Sequence, residues 1–222
     1  SLQLAPGEYR LIARELGLPI ITVATRPFEM EGEKRVTRGR RGATDLSKRV
    51  DLFIPFHQDQ LLPLAQKGTK VREVISIVDE FIGHALDALV DMSIDAGSSD
   101  ELLARLDVST SALFSYGVSD SADGTQEAAT FAVAGPFLAG IDTTQIEGIL
   151  VDVRSRTEVS EETVDEAATL LREKLGSPTK VKTTTHVVED LANPLQLFVL
   201  VKGQFSDPKP RLEGFWVPGP TG

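Results

Sequence analysis

Cysteine is absent from the 222-residue chain, which excludes a disulfide frame, a cysteine zinc site and a thiol nucleophile, and fits a cytoplasmic protein. Histidine is scarce: His57, His84 and His186 stand singly, so no metal site is expected and each should be a surface or half-buried residue. Long apolar runs are missing as well. None approaches the ~20 residues that a membrane helix needs, so direct insertion into a membrane is not expected. What remains, 41% hydrophobic and 25% charged, is the composition of a globular protein able to bury one large core or two small ones.

Charge is unevenly spread. The net charge is -10, yet residues 1–70 carry 12 basic and 8 acidic side chains while the rest carry 11 and 25. The basic excess gathers in Lys34, Arg35, Arg38, Arg40, Arg41, Lys48 and Arg49. Such a patch attracts phosphates or the acidic half of a neighbouring copy. A solvated helix face explains it equally well. Nucleic acid is not an expected partner, because the patch lacks stacking aromatics and the chain as a whole is acidic.

The longest helix signal runs from Thr69 to Ser93. Val71, Val74, Ile75, Val78, Phe81, Ile82, Ala85, Leu86 and Leu89 recur at three- and four-residue steps, forming one apolar stripe. A helix of that length, roughly 35 Å at about 1.5 Å per residue, suits a strut between two halves. Before it, Gly7–Leu16 reads as a short helix ended by Gly17. Leu18–Ala24 reads as a strand buried on both faces, of the kind found in parallel sheets, and broken by Thr25, Arg26 and Pro27. A basic helix from Lys34 to Arg49 is expected to be interrupted or bent near Gly39 and Gly42. A strand follows over Val50–Phe56, then a short helix to Gln66.

After the long helix, Ile94–Ser99 reads as a loop and Asp100–Leu106 as a short helix. A strand is expected over Ala112–Ser119, with Gly117 as a bulge. Thr125–Leu138 reads as a helix closed by Gly135 and Pro136. Ile146–Val153 reads as an alternating strand, and Ser160–Leu175 as a helix capped by Ser160. The strands Thr179–Val188 and Leu195–Gly203 are placed as antiparallel neighbours. The expected fold is α/β: an incomplete Rossmann-like nucleotide domain (1–68), a central helix (69–94), a two-layer α+β sandwich with a four-stranded sheet (95–206) and a tail (207–222).

In open α/β sheets ligands bind beyond the carboxyl ends of the strands, which directs attention to TRPFEMEGEKR at 25–35. The residues alone leave room for an unrelated small-molecule enzyme using Glu29, Glu31 and Asp59 as acid and base. However, this stretch, GATDLSKRVD at 42–51, Asp79 on the long helix, FSYGVSDSADGTQEAATFAVAGPFLAGID at 114–142 and IEGILVDV at 146–153 together resemble the second half of a tubulin/FtsZ family protein. The likeness runs from about residue 8 to residue 203.

The resemblance implies a GTP-binding cell-division protein that polymerises head to tail, with GTP or GDP, with or without magnesium, as its ligand. It places Glu31 near the ribose, Arg35 near the nucleotide and Gln58 where an asparagine usually reads guanine. Asp79 falls where a carboxylate accepts from guanine N1 and the amino group. The family's glycine-rich phosphate loop is not in this sequence, and the resemblance puts it upstream of Ser1. A start at serine rather than methionine gives the same expectation of a fragment, inactive by itself. The stacking neighbour of guanine becomes Val74.

The family's N-x-D-x-x-D loop places carboxylates in the next subunit to drive hydrolysis. Here its first positions fall on Ala96 and Ser98, leaving Glu101, or Asp100 with a one-residue shift, as the catalytic carboxylate. This departure supports an alternative: a non-hydrolysing relative acting as a structural or regulatory partner of a filament. The partners implied are other copies of the chain and cell-division proteins.

Overall fold

The structure, a computed structural model, describes residues 13, 15–64, 71–96, 101, 104, 110–138, 141–176, 181–203 and 205. Most of the first expected helix lies outside these residues. Ala13 and Glu15 are helical, and Gly17, with φ 65°, ends the turn in the left-handed region.

Strand β1, Ile21–Arg26, begins with three residues of high strand propensity, Ile21, Thr22 and Val23. It continues through Thr25 and Arg26, which the sequence suggests as breakers, and stops at Pro27, which has no N–H for the ladder. Helix α1, Glu33–Ser47, is unbroken through Gly39 and Gly42. Gly39 is a packing notch and not a bend: a Cβ there would lie 2.6 Å from Cδ of Pro27. Strand β2, Leu52–His57, pairs in parallel with β1 over its whole length, from Ile21 against Leu52 to Arg26 against His57. A 3-10 segment, Gln58–Leu64, follows.

Helix α2, Val71–Ala96, runs three residues beyond the expected end, so Ile94, Asp95 and Ala96 are helical rather than loop. Its buried stripe is Val78, Phe81, Ala85, Ala88, Leu89, Met92 and Ala96. Leu86 and Ile75, placed on that stripe by spacing, are instead 47% and 42% exposed. The remaining elements are β3 (Thr110–Ser119), α3 (Thr125–Ala134), β4 (Ile146–Ser155), α4 (Glu161–Lys174), β5 (Val181–Val187) and β6 (Leu195–Gly203). The Ser160 side chain caps α4 by accepting from the Thr163 N–H at 3.2 Å. Strand β4 does not alternate: from Ile149 to Ser155 every residue is buried, because helices cover both faces.

One six-stranded sheet results, in the order β1-β2-β3-β6-β4-β5. Strands β1, β2 and β3 are parallel, β6 is antiparallel to both of its neighbours, and β5 is parallel to β4. The expected pairing of β5 with β6 is therefore wrong. Strand β6, buried along all nine residues, takes the central place beside β4, and β5 is left at the edge. The two ends of the sheet meet where β2 and β3 share two residue pairs, Leu52 with Thr110 and Phe53 with Ser111.

Helix α2 packs on one face, over Leu52, Ile54, Phe56, Ala112, Phe114, Leu150, Phe198 and Leu200. Helices α3 and α4 cover the other face through Ala128, Ala129, Ala132, Ala167 and Leu171. Gly117 makes no bulge, since the β3–β6 register is continuous from Ala112 to Ser119. It admits the α3 backbone: a Cβ on Gly117 would sit 1.8 Å from the carbonyl oxygen of Ala128.

Candidate functional site

Parallel pairing of β1 with β2 brings their carboxyl ends side by side, so the loops leaving them start from one edge of the sheet. After Pro27 the chain makes a 3-10 turn, Glu29–Glu31, and enters α1 through Gly32, whose φ of 95° favours glycine. Glu31 closes this turn from within. Its Oε1 accepts from the Phe28 N–H at 2.9 Å, and its Oε2 lies 2.8 Å from Nε of Arg35 one helical turn on. The Arg35 side chain is 71% exposed, so this pair is worth only a few tenths of a kcal/mol. Its consequence is geometric, in that it orients a carboxylate and a guanidinium together at the head of α1.

Asp59, two residues past β2, holds the same turn from the other side. Both of its carboxylate oxygens accept from the Glu29 N–H, at 3.2 and 3.1 Å. Partial burial pushes the Asp59 carboxyl above its usual range, opposed by the hydrogen bond from Glu29 and assisted by the neighbouring charges of Glu29 and Glu31. The sequence offers Asp59 as a candidate acid or base. In the structure it pins one strand exit to the next, and its position directly behind a strand end is the signal for that role.

Gln58 is half-buried at the start of the 3-10 segment, against which α2 packs. Phe28, Leu61 and Val78 belong to one core cluster, which joins the turn, the 3-10 segment and the first half of α2. Asp79, next to Val78, is exposed on the helix. Glu31 and Arg35 thus stand in the turn after β1 and the first turn of α1, Gln58 at the exit of β2, and Asp79 on the helix that packs against the 3-10 segment. The side chain of Val74 and all of Asp100 lie outside the described residues. Glu101 is helical and exposed, beyond the far end of α2. Ala96, at the family's asparagine position, is buried in the core.

The basic residues Lys34, Arg35, Arg38, Arg40, Arg41, Lys48 and Arg49 are all exposed. Arg40 reaches back to Glu29 at 3.6 Å. A cavity of about 180 Å³ lies on the sheet face opposite α2, lined by Arg26, Thr44, Ser47, His57, Ser111 and Phe205 among others. It includes none of the expected ligand residues. No group of three or more metal-ligating side chains occurs among the described residues, and none of their helices is long and apolar enough to cross a membrane.

His57, His84 and His186 are half-buried, as expected. Burial holds the His84 imidazole below its ordinary range, against the opposing charges of Glu80 and Asp87. Sequence reasoning misses a charged network: Asp152 and Arg154 lie inside β4 with exposures of 0% and 4%, facing α2. Its signal is IEGILVDVRS, where two charges interrupt an apolar strand.

No family model matches the chain. Among curated proteins it is 26% identical over 199 residues to the cell division protein FtsZ of Buchnera aphidicola subsp. Schizaphis graminum, covering 86% of this chain and 51% of that protein. It is 24% identical to FtsZ of Wigglesworthia glossinidia brevipalpis, covering 91% and 54%. The chain therefore spans about half the length of the curated relatives it matches. Its fold superposes on an empty FtsZ dimer from M. jannaschii with a TM-score of 0.69 at 19% identity, covering 94% of this chain and 64% of that one. It also superposes on a protofilament of CetZ2 from Haloferax volcanii bound to GTPγS, with a TM-score of 0.61 at 17% identity, covering 90% and 61%.

Proposed function

We propose that the chain, similar to FtsZ over most of its length, is a member of the tubulin/FtsZ family and the guanine-reading and domain-linking part of a cytoplasmic GTP-binding protein that assembles head to tail in cell division. What supports this reading is the placement of Glu31 and Gln58 in the segments leaving the parallel strands β1 and β2, and of Asp79 on the helix that packs against the second of these segments. Asp79 offers two acceptor oxygens to the N1–H and amino group of guanine, a pairing that only a carboxylate makes on both donors. Glu31, oriented by Phe28 and Arg35, is the acceptor for the ribose, and Arg35 is the cation nearest the nucleotide.

Phosphate binding is assigned to a glycine-rich loop outside this sequence, with GTP or GDP, with or without magnesium, as the ligand. Other copies of the chain are the partners, consistent with relatives described as a dimer and as a protofilament. The domain division follows the same reading: 1–68 belongs to the nucleotide domain, 69–94 is the linking helix and 95–206 is the second domain.

A second reading is favoured by Ala96. The family's asparagine position is a buried methyl group here, and Ser98 replaces the first aspartate. Only Glu101 or Asp100 remains to position water against a neighbour's nucleotide, so a non-hydrolysing member that stiffens or regulates a filament fits the same site.

The test is GTP titration calorimetry on a protein carrying these residues together with a phosphate loop. Asp79→Ala should weaken binding by roughly 10- to 100-fold, the loss of a charge-assisted pair worth about 1.5–3 kcal/mol. Unchanged affinity would remove Asp79 from the site. Turnover that rises with protein concentration and disappears in Glu101→Ala would exclude the non-hydrolysing reading.

A further inference from the structure

Beneath the last turns of α2 the sheet is polar. Asp152 and Arg154 of β4 face α2, and their register partners on β5 are Thr184 and His186. Asp152 is wholly buried, yet its Oδ1 accepts from the Thr184 hydroxyl at 2.8 Å and stands 2.6 Å from Nδ1 of His186. The other ring nitrogen, Nε2, lies 3.2 Å from Oδ2 of Asp95 on α2, an ion-pair distance without hydrogen-bond alignment. Arg154 mirrors this arrangement. Its Nη2 pairs with Asp91, one turn before Asp95, while its Nε is 3.8 Å from Oδ2 of Asp152 and its Nη1 is 3.5 Å from Oε1 of Gln196.

Two consequences follow from elementary chemistry. A neutral imidazole carries one N–H and would turn a lone pair toward one of the two carboxylates, whereas an imidazolium presents a proton to both. The groups facing His186 also set a charge balance. Three carboxylates, Asp91, Asp95 and Asp152, meet one permanent cation, Arg154, so a charged imidazole halves the uncompensated negative charge around the wholly buried Asp152.

We propose that His186 is a proton-operated latch that, as imidazolium, ties the end of α2 through Asp95 to Asp152 in the sheet and releases that end when it loses its proton. The hydrogen bond to Asp152 raises the His186 pKa, burial opposes this, and the charges of Asp152, Asp95 and Asp91 add to the rise. The sign is that of a group favoured in its charged form by folding. The latch is complete below the ordinary imidazole value of about 6.5 and is lost as pH rises through the raised folded value. Arg154 with Asp91 stays closed throughout, so the last turn loosens while the helix stays seated. The proposal is independent of nucleotide.

Ring-resolved NMR titration of the 222-residue chain tests it, with His57 and His84 as internal comparisons. His186 should titrate above its ordinary range and above His84, and Asp95→Asn should lower its midpoint. Amide exchange at residues 92–96, corrected for the intrinsic pH dependence, should speed up several-fold across the His186 titration. That step should be absent in Asp95→Asn and in His186→Gln, the latter exchanging fast at every pH. Should His186→Gln not fold, Asp95→Asn decides alone, since Asp95 is 54% exposed. A His186 midpoint at or below the ordinary value would overturn the proposal. So would an exchange step that persists in Asp95→Asn.

Discussion

Both carboxylate oxygens of Asp59 accept from a single donor, the Glu29 N–H, at 3.2 and 3.1 Å. This shared bond fastens the turn after β1 to the exit of β2, and with it the orientation of Glu31. Asp59→Ala leaves that N–H to solvent and frees the turn. The expected cost is about 1 kcal/mol, typical of a lost hydrogen bond to a loop amide, measured as a shift of the urea midpoint at unchanged slope. Asp59→Asn separates the bond from the charge. The folded state raises this carboxyl above its ordinary 3.8, so the native protein binds the proton more tightly and stability falls as pH climbs from that value through the raised one. Asparagine keeps an acceptor oxygen and removes this slope. An unaltered pH profile of stability in Asp59→Asn would refute the assignment.

Three glycines should answer differently to the same substitution. Gly42, inside α1 with nothing within 4 Å of the place a methyl group would take, gains about 0.5–1 kcal/mol on becoming alanine, because glycine in a helix loses more backbone entropy. Gly39→Ala meets the Pro27 ring at 2.6 Å and loses that gain or more. Gly117→Ala puts a methyl group 1.8 Å from the Ala128 carbonyl, where only movement of α3 relieves the overlap, and should cost at least the 1–3 kcal/mol or so typical of overpacking. Thermal melts of the three variants give the order Gly42→Ala above wild type, then Gly39→Ala, then Gly117→Ala. Any other order would contradict the packing described.

These glycines also show where the sequence was legible and where it was not. Apolar runs located the six strands of the described residues, and apolar spacing the long helix, since hydrophobic patterning is a local property that burial enforces. It could not tell a glycine that breaks a helix from one that admits a neighbour, because Pro27 and Ala128 are tertiary partners. Nor could it order the strands. Proximity in sequence favoured β5 beside β6, but β6 buries all nine residues and so needs a strand on each side, which β3 and β4 supply. Of the candidate site, Glu31 and Arg35 were readable as a pair four residues apart. The part of Asp59 was not, because its partner is thirty residues away.

Phe56, Phe114 and Phe137 form a contiguous aromatic group under α2, with ring centroids 4.5, 4.4 and 5.7 Å apart, and Phe198 continues it at 5.9 Å from Phe114. Phe114 is therefore the hub that joins β2, β6 and the segment after α3. Phe114→Ala should cost about 3–5 kcal/mol, while Phe114→Leu retains most of the burial and should cost less than half as much. Equal destabilisation by both, in denaturant melts, would mean that ring stacking rather than volume dominates.

The basic face of α1 gives a prediction about assembly. Arg38 and Arg41 are exposed, on the opposite half of the chain from most of the acidic residues, which suits a head-to-tail contact between unlike faces. Charges at the rim of such a contact act chiefly on the rate of encounter and are screened over about 8 Å at physiological ionic strength. If the protein assembles head to tail as proposed, Arg38→Glu with Arg41→Glu should slow association roughly tenfold or more at low salt, since each substitution would reverse a charge able to steer approach. The difference from wild type should shrink as salt is raised. Light scattering across a salt series measures both effects. A defect of the same size at all salt concentrations would point to disrupted packing, and no defect at any concentration would leave α1 as a solvated face outside the interface.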